Sequence, residues 1–291
     1  MTRVVQKTLL CLTNFGLPGL LAFLITSTKR GKKVTHSVTQ STPFIVGFKY
    51  LSNFDNNQKD INFYMNVLVI IPAYCEEDSI VQTVEELKET LPNIDYVIIN
   101  DGSTDNTEKI CRDQNYNTIT MPLNVGLTAG FKAGMSYARL HHYDAALQFD
   151  ADGQHNPVYI KKMIEEMETN NQDIVIGSRY IDGNQNTHSL RLVGSNLITA
   201  LIKLTTRQHL SDPTSGMRLY NKDMIKLFSE RDDFGPEPDS VAYLIRKGAK
   251  VSEVPVKMRD RAAGKSYLNP RNAIAYMLRT CTSILLLQWF R

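Results

Sequence analysis

Cysteine is scarce in this chain of 291 residues: Cys11, Cys75, Cys111 and Cys281 are the four, and no two stand in C-x-x-C spacing. That excludes a zinc ribbon or a thioredoxin-type redox motif, and scattered thiols in a chain this long fit a reducing, cytosolic compartment. Glycine (16 residues) and proline (11 residues) are too few for a collagen-like or proline-rich architecture. Only one long uncharged apolar run exists, near the N-terminus, so a polytopic membrane protein is excluded. No internal repeat is evident. The first strand–helix turn of the folded region holds no glycine and no G-x-G-x-x-G, which disfavours NAD. The AAGKS stretch at 262–266 has Arg259 where a P-loop needs its first glycine, so it is no phosphate loop.

What is present is ordinary for a folded protein: 42% hydrophobic and 22% charged residues exclude wholesale disorder. The net charge of +3 is unevenly spread. Residues 1–64 carry eight Lys/Arg and two acids, and the remainder carries 25 basic and 28 acidic residues. The body is therefore mildly acidic, and no nucleic-acid partner is expected.

The apolar run TLLCLTNFGLPGLLAFLIT (8–26) is followed by Lys29, Arg30, Lys32 and Lys33. It reads either as a single membrane anchor with its C-terminal side in the cytosol or as a leader upstream of a true start at Met65. The polar stretch 35–64 has the poor periodicity of a linker. From Met65 the pattern alternates. Strands are expected at NVLVIIPAY, DYVIIN (95–100), 116–121, DAALQFD (144–150) and DIVIGS (173–178). Helices are expected at 79–91, 104–114, 126–140 and 157–169. This is an α/β pattern, a mostly parallel central sheet with helices on both faces. A helix near 190–206, the stretch TSGMRLY, a helix near 238–248 and a strand VSEVPV follow. The last stretch, 270–290, is broken by Arg279 and too short to span a bilayer. It reads as an interfacial helix or as a helix docked on the core.

In such sheets ligands bind beyond the carboxyl ends of the strands. Four motifs fall there. IPAYCEE offers Pro72, Tyr74 and Glu76, an aromatic and a carboxylate able to clamp a base and its ribose. NDGSTDNT offers Asp101, with Ser103 or Thr104 expected to cap the next helix. NVGLTAGFKAG spaces Gly126, Gly130 and Gly134 for close packing or close approach to a ligand. QFDADGQHNP puts Asp150 and Asp152 on either side of one small residue, with Gln154 and His155 following. Hard oxygen donors in that pattern suit Mg²⁺ or Mn²⁺ bridging a diphosphate.

Taken together, PAY-x-E, NDGSTD, N-x-G, DADGQH and DPTSGMR resemble the family 2 inverting glycosyltransferases of the GT-A nucleotide-diphospho-sugar transferase fold. The likeness is greatest to the polyprenyl-phosphate sugar synthase branch (dolichyl-phosphate mannosyltransferase-like) and to related cell-wall polysaccharide enzymes. It covers roughly 65–267. The chain is accordingly divided into a leader 1–64, a catalytic domain 65–268 and a C-terminal amphipathic helix 269–291. The resemblance implies that Pro72, Tyr74, Glu76, Asp101 and Asp150 line the donor nucleotide site. It implies that Asp150, Asp152 and Gln154 hold the metal, with Asp152 central to catalysis. Arg179, Arg218, Arg261 and Ser266 would face phosphates or acceptor. Arg191, Lys203 and Arg207, set among Leu and Ile, would either cover an acceptor phosphate and its lipid tail or lie on a plain amphipathic helix. Two departures from the family pattern are Cys75, where Asn is usual, and Asn100, where Asp is frequent.

The implied reaction moves a sugar from a nucleotide-diphospho-sugar to a polyprenyl phosphate, a lipid-linked glycan or a polysaccharide. It would run at the cytoplasmic face of a membrane. A phosphate acceptor is already ionised, whereas a hydroxyl needs a base. Glu237 and Asp239 are the candidate bases; otherwise they supply helix N-terminal charge. A nucleotidyltransferase or a non-catalytic nucleotide-sugar-binding protein is the alternative reading.

Overall fold

The run Val67–Ala73 is rich in β-branched residues and apolar on both faces, which suits a central strand covered from both sides. Its side chains alternate. Val67, Val69, Ile71 and Ala73 join one core with Ile80, Val84 and Leu87 of the following helix and with Ile160, Met163 and Ile164. Leu68 and Ile70 join the opposite core with Phe131, Met135, Ile225 and Phe228. One strand thus serves two hydrophobic layers.

The computed structural model describes residues 9–10, 22–29, 32–39, 65–181, 190–259 and 270–286. The chain forms two units, Met1–Asp60 and Ile61–Arg291. In the first, β1 (Leu9–Leu10), β2 (Ala22–Lys29) and β3 (Lys32–Thr39) form an antiparallel sheet, with Lys29 opposite Lys32. The apolar run 8–26 lies outside the described residues except for 9–10 and 22–26, which are strand. Among the described residues no helix is long and apolar enough to cross a membrane.

The second unit has β4 (Val67–Ala73), α1 (Ile80–Thr90), β5 (Asp95–Asn100), α2 (Thr107–Asp113), β6 (Thr118–Thr120) and α3 (Leu127–Leu140). Next come β7 (Ala145–Gln148), a 3-10 turn (Pro157–Tyr159), α4 (Ile160–Asn170), β8 (Ile174–Ser178) and α5 (Leu190–Thr206). It closes with β9 (Arg218–Asn221), α6 (Lys222–Glu230), α7 (Pro238–Arg246), β10 (Val251–Pro255) and α8 (Pro270–Leu285). The sheet runs β10-β8-β9-β7-β4-β5-β6. All pairings are parallel except those of β9, which runs antiparallel between β7 and β8.

Two features escaped the sequence reading. Helix α6 was not expected; Asn221 caps it by accepting the Met224 N–H at 3.0 Å. The antiparallel course of β9 was not expected either. The spacing of Gly130 and Gly134 serves packing: a β-carbon on Gly134 would stand 2.4 Å from Ile70 Cγ2, so α3 sits directly on β4. The C-terminal helix α8 packs against α5 and α7, with Ile284 fully buried. Its outer side exposes Leu278 and Leu285, with exposed Leu286 just after it.

Candidate active site

The chain lays β5 and β6 to one side of β4 and then crosses to place β7 on the other. The switch point therefore lies between the ends of β4 and β7, where a crevice opens in folds of this kind. All four motifs converge there. The turn after β4 is stitched to the turn after β5. Cys75 N–H donates to Ser103 Oγ (3.0 Å), Glu76 N–H to Thr107 Oγ1 (2.9 Å) and Glu77 N–H to Asp105 Oδ2 (3.2 Å). Thr83 Oγ1 of α1 donates to the Ala151 carbonyl at 2.9 Å, joining the helix after β4 to the Asp-Ala-Asp loop.

The expected cap is corrected here. Helix α2 starts at Thr107, not at 104, with Asn106 at the cap position. Ser103 instead accepts from Cys75 and donates to Asn100 Oδ1. Asp105 does the work at the helix start. Burial pushes its carboxyl upward, but the Thr107 hydroxyl and N–H and the Glu77 N–H outweigh this and hold it below the usual carboxylate range.

Among the nucleotide-site candidates, Pro72 pairs in register with Ile99, and Tyr74 is exposed just beyond it. Glu76 accepts from Ser79 Oγ at 2.7 Å. Asp101 is buried and accepts the N–H groups of Val125 (2.9 Å, Oδ1) and Gly126 (2.8 Å, Oδ2), which fixes the N-x-G loop. A carboxylate has about four acceptor positions, and these bonds use two of them.

Asp150 and Asp152 lie just past β7. Asp152 is buried and accepts the Gln154 N–H at 3.1 Å. Asp150 Oδ1 accepts from Gln148 Nε2 at 3.2 Å, and its N–H donates to His155 Nδ1 at 3.0 Å. Gln154 and Arg259 bind each other through the Arg259 N–H to the Gln154 carbonyl (3.0 Å) and Gln154 Nε2 to the Arg259 carbonyl (3.4 Å). That leaves the Gln154 amide oxygen as a donor toward a cation. Two carboxylates and one amide oxygen fit Mg²⁺ or Mn²⁺, which keep positions for substrate phosphates and water. Because β9 runs antiparallel, its entering loop reaches the same end of the sheet. A β-carbon on Gly216 would lie 2.5 Å from Asp150 Oδ2, so only glycine leaves that carboxylate its place.

The basic candidates are placed differently from expectation. Arg179 binds Asp212 fork to fork, Nε to Oδ2 at 2.5 Å and Nη2 to Oδ1 at 2.7 Å, and also reaches Thr214 Oγ1 at 3.0 Å. Arg218 is 1% exposed. Its guanidinium donates to the carbonyls of Pro213 (2.6 Å), Ser215 (2.8 Å) and Pro236 (2.7 Å). Its charge ties two loops together instead of facing a phosphate. The side chain of Arg191, and Arg261 and Ser266 altogether, lie outside the described residues. Glu237, at the start of α7, accepts from Thr128 Oγ1 at 2.9 Å, and Asp239 is buried and accepts from Ser283 Oγ of α8. Asp212, fully buried and bonded through its N–H to Glu253 Oε1 at 2.8 Å, was not singled out from sequence. Its place in DPTSG was the available signal.

Residues 68–228 match the model of Glycosyl transferase family 2, and the chain belongs to that family. An undecaprenyl-phosphate mannosyltransferase of Micrococcus luteus is 28% identical over 216 residues, 70% of this chain and 88% of the relative. A UDP-N-acetylglucosamine–dolichyl-phosphate N-acetylglucosaminyltransferase of Methanococcus voltae is 32% identical over 214 residues, 66% and 84% of the two chains. Among solved structures, glucosyl-3-phosphoglycerate synthase of Mycobacterium tuberculosis, in complex with Mn²⁺, UDP and phosphoglyceric acid, has a TM-score of 0.57 at 16% identity, covering 77% of this chain and 78% of that one. A mannosyltransferase of Pyrobaculum calidifontis, in complex with GDP-Man and Mn²⁺, has a TM-score of 0.55 at 14% identity, covering 77% and 64%. The fold is that of the GT-A glycosyltransferases.

Proposed function

We propose that this glycosyltransferase moves a sugar from a nucleotide diphosphate to a polyprenyl phosphate, with inversion at the anomeric carbon. An acceptor phosphate oxygen forms the new bond to that carbon as its bond to the diphosphate breaks and the nucleotide diphosphate leaves. The observation that carries the acceptor reading is the match, over 88% and 84% of the relatives' lengths, to enzymes named for polyprenyl-phosphate acceptors, and the contacts of Glu237 and Asp239 fit it. Each already accepts a hydroxyl hydrogen bond, from Thr128 and Ser283 respectively. An ionised phosphate needs no base, and on this reading the two carboxylates serve as anchors of α7. The named acceptors of the two curated relatives, undecaprenyl phosphate and dolichyl phosphate, are of the same class.

Asp150, Asp152 and Gln154 would hold Mg²⁺ or Mn²⁺. Bound there, the ion supplies positive charge to the departing diphosphate. Tyr74, Glu76 and Asp101 border the nucleoside end, beside Pro72. The acceptor's lipid tail calls for a bilayer surface. The exposed leucines Leu197 and Leu204 of α5, Leu278 and Leu285 of α8 and Leu286 just after it, with exposed Lys203, Arg207 and Arg279 close in sequence, suit peripheral contact with anionic lipid. The cytoplasmic face is the side proposed.

The test is a donor screen on the full chain. UDP-, GDP- and dTDP-sugars are supplied with Mn²⁺, with and without undecaprenyl phosphate, and both nucleotide release and glycolipid are measured. Release coupled to glycolipid, lost in Asp152→Ala, is expected. Release that requires a glycan acceptor would overturn the phosphate reading and return Glu237 or Asp239 to the role of base.

A further inference from the structure

Two buried polar side chains beside Asp150 have no role in the reading above. Gln148 is 2% exposed and sits on β7 between β4 and β9. An amide in a central strand costs stability unless it is bonded. Gln148 spends its Nε2 donor on Asp150 Oδ1 at 3.2 Å, while its Oε1 is buried with no hydrogen-bond partner among the described residues. His155 is 4% exposed, and Phe149 meets its ring nearly edge-on with centroids 5.3 Å apart. Its Nδ1 accepts the Asp150 N–H, so the ring proton of the neutral form rests on Nε2. That Nε2 faces Asp150 Oδ2 at 3.7 Å.

We propose that Gln148 and His155 are positioning residues that aim the Asp150 carboxylate at the divalent cation. Each carboxylate oxygen has one of these two side chains beside it, and Gly216 closes the third side with no side chain of its own. The Gln148 amide fixes the direction of the carboxylate and leaves its charge for the metal, which a lysine or arginine in the same place would neutralise, while the His155 ring holds the Asp150 backbone through Nδ1 and stands against Oδ2. Such supporting groups typically set metal affinity within a range of roughly 10- to 100-fold. A pair that served only packing would not converge on one carboxylate. The proposal rests on the reading of Asp150 as a metal ligand.

The probe is Mn²⁺, titrated into the full chain alone and with UDP, following the free-ion signal by electron paramagnetic resonance. Gln148→Met keeps the volume and removes the donor. His155→Asn keeps an acceptor for the Asp150 N–H and removes the Nε2 proton. Each is expected to weaken Mn²⁺ uptake by roughly tenfold or more, with a small change in thermal midpoint. Turnover in each variant is expected to recover at high Mn²⁺, a signature that lost packing would not give. If Asp150→Ala abolishes uptake while both variants bind like the parent, the positioning role is overturned and the metal site stands. If the parent takes up no Mn²⁺ under either condition, or Asp150→Ala changes nothing, both readings fall.

Discussion

Arg179 and Asp212 lock together through two parallel contacts, with the carboxylate wholly buried and the guanidinium nearly so. A paired charge of this kind contributes little net stability, because desolvation offsets attraction; removing one partner is what costs. Asp212→Ala should therefore lower unfolding stability by about 3–5 kcal/mol, read from denaturant midpoints. Arg179→Met together with Asp212→Leu should recover much of that loss while failing to restore activity, since Asp212 lies in the loop that carries Gly216.

Gly216→Ala should separate stability from activity. The added methyl collides with the end of a side chain, Asp150 Oδ2, which can swing aside. The thermal midpoint should move little. Donor turnover should drop at least tenfold, matching loss of one good electrostatic contact of about 1.4 kcal/mol.

Cys75 adopts φ 55°, in the left-handed region, in the turn after β4. A side chain other than Asn or Gly pays about 1–2 kcal/mol there. Cys75→Asn should raise stability by about 0.5–1 kcal/mol, measured by urea unfolding. A fall in stability would mean that the contact of its thiol with Thr104 Oγ1 at 3.5 Å outweighs the backbone term.

Asp105 sets an acid limb on stability. Its folded carboxyl lies below the usual range. It therefore stabilises above its unfolded value near ~3.9, and that contribution is lost as pH falls through the folded value. Asp105→Asn should be less stable than the parent at neutral pH, with the gap narrowing below about pH 4. A gap independent of pH would contradict this.

Membrane contact can be read on the leucine rows. Leu204→Glu with Leu278→Glu places charge on two residues that are 74% and 64% exposed. Folding should be unaffected. Sedimentation with anionic liposomes should fall several-fold, and turnover of a soluble short-chain prenyl phosphate should persist.

The sheet strands and the two-faced layering were legible because parallel strands leave continuous apolar runs, as VLVIIPA and DIVIGS do. The motif residues at strand ends were legible because the strand ends fix where a crevice can form. The arginines were less so. Sequence gives Arg179 and Arg218 a charge but not a direction, and burial turns both toward protein groups. Helix α6 hid behind β9, since Asn221 ends the strand and caps the helix with no loop between them. Gln148 carried no signal of its own, and His155 stood out only as a residue following the Asp pair. Their meaning depends on Asp150 N–H, Phe149 and Gly216 meeting in space.

The antiparallel course of β9 has a consequence for how the protein comes into being. Strands β4, β5, β6 and β7 can pair as soon as they are made, but β7 and β8 have no neighbour to join them until residues 218–221 are present. A nascent or truncated chain ending before Arg218 would leave β7 with one naked edge and β8, which also lacks β10, with two, the kind that seek strands from other molecules. Arg218 then acts as a clasp, since the same residue that begins the missing strand also fastens the loops at Pro213, Ser215 and Pro236.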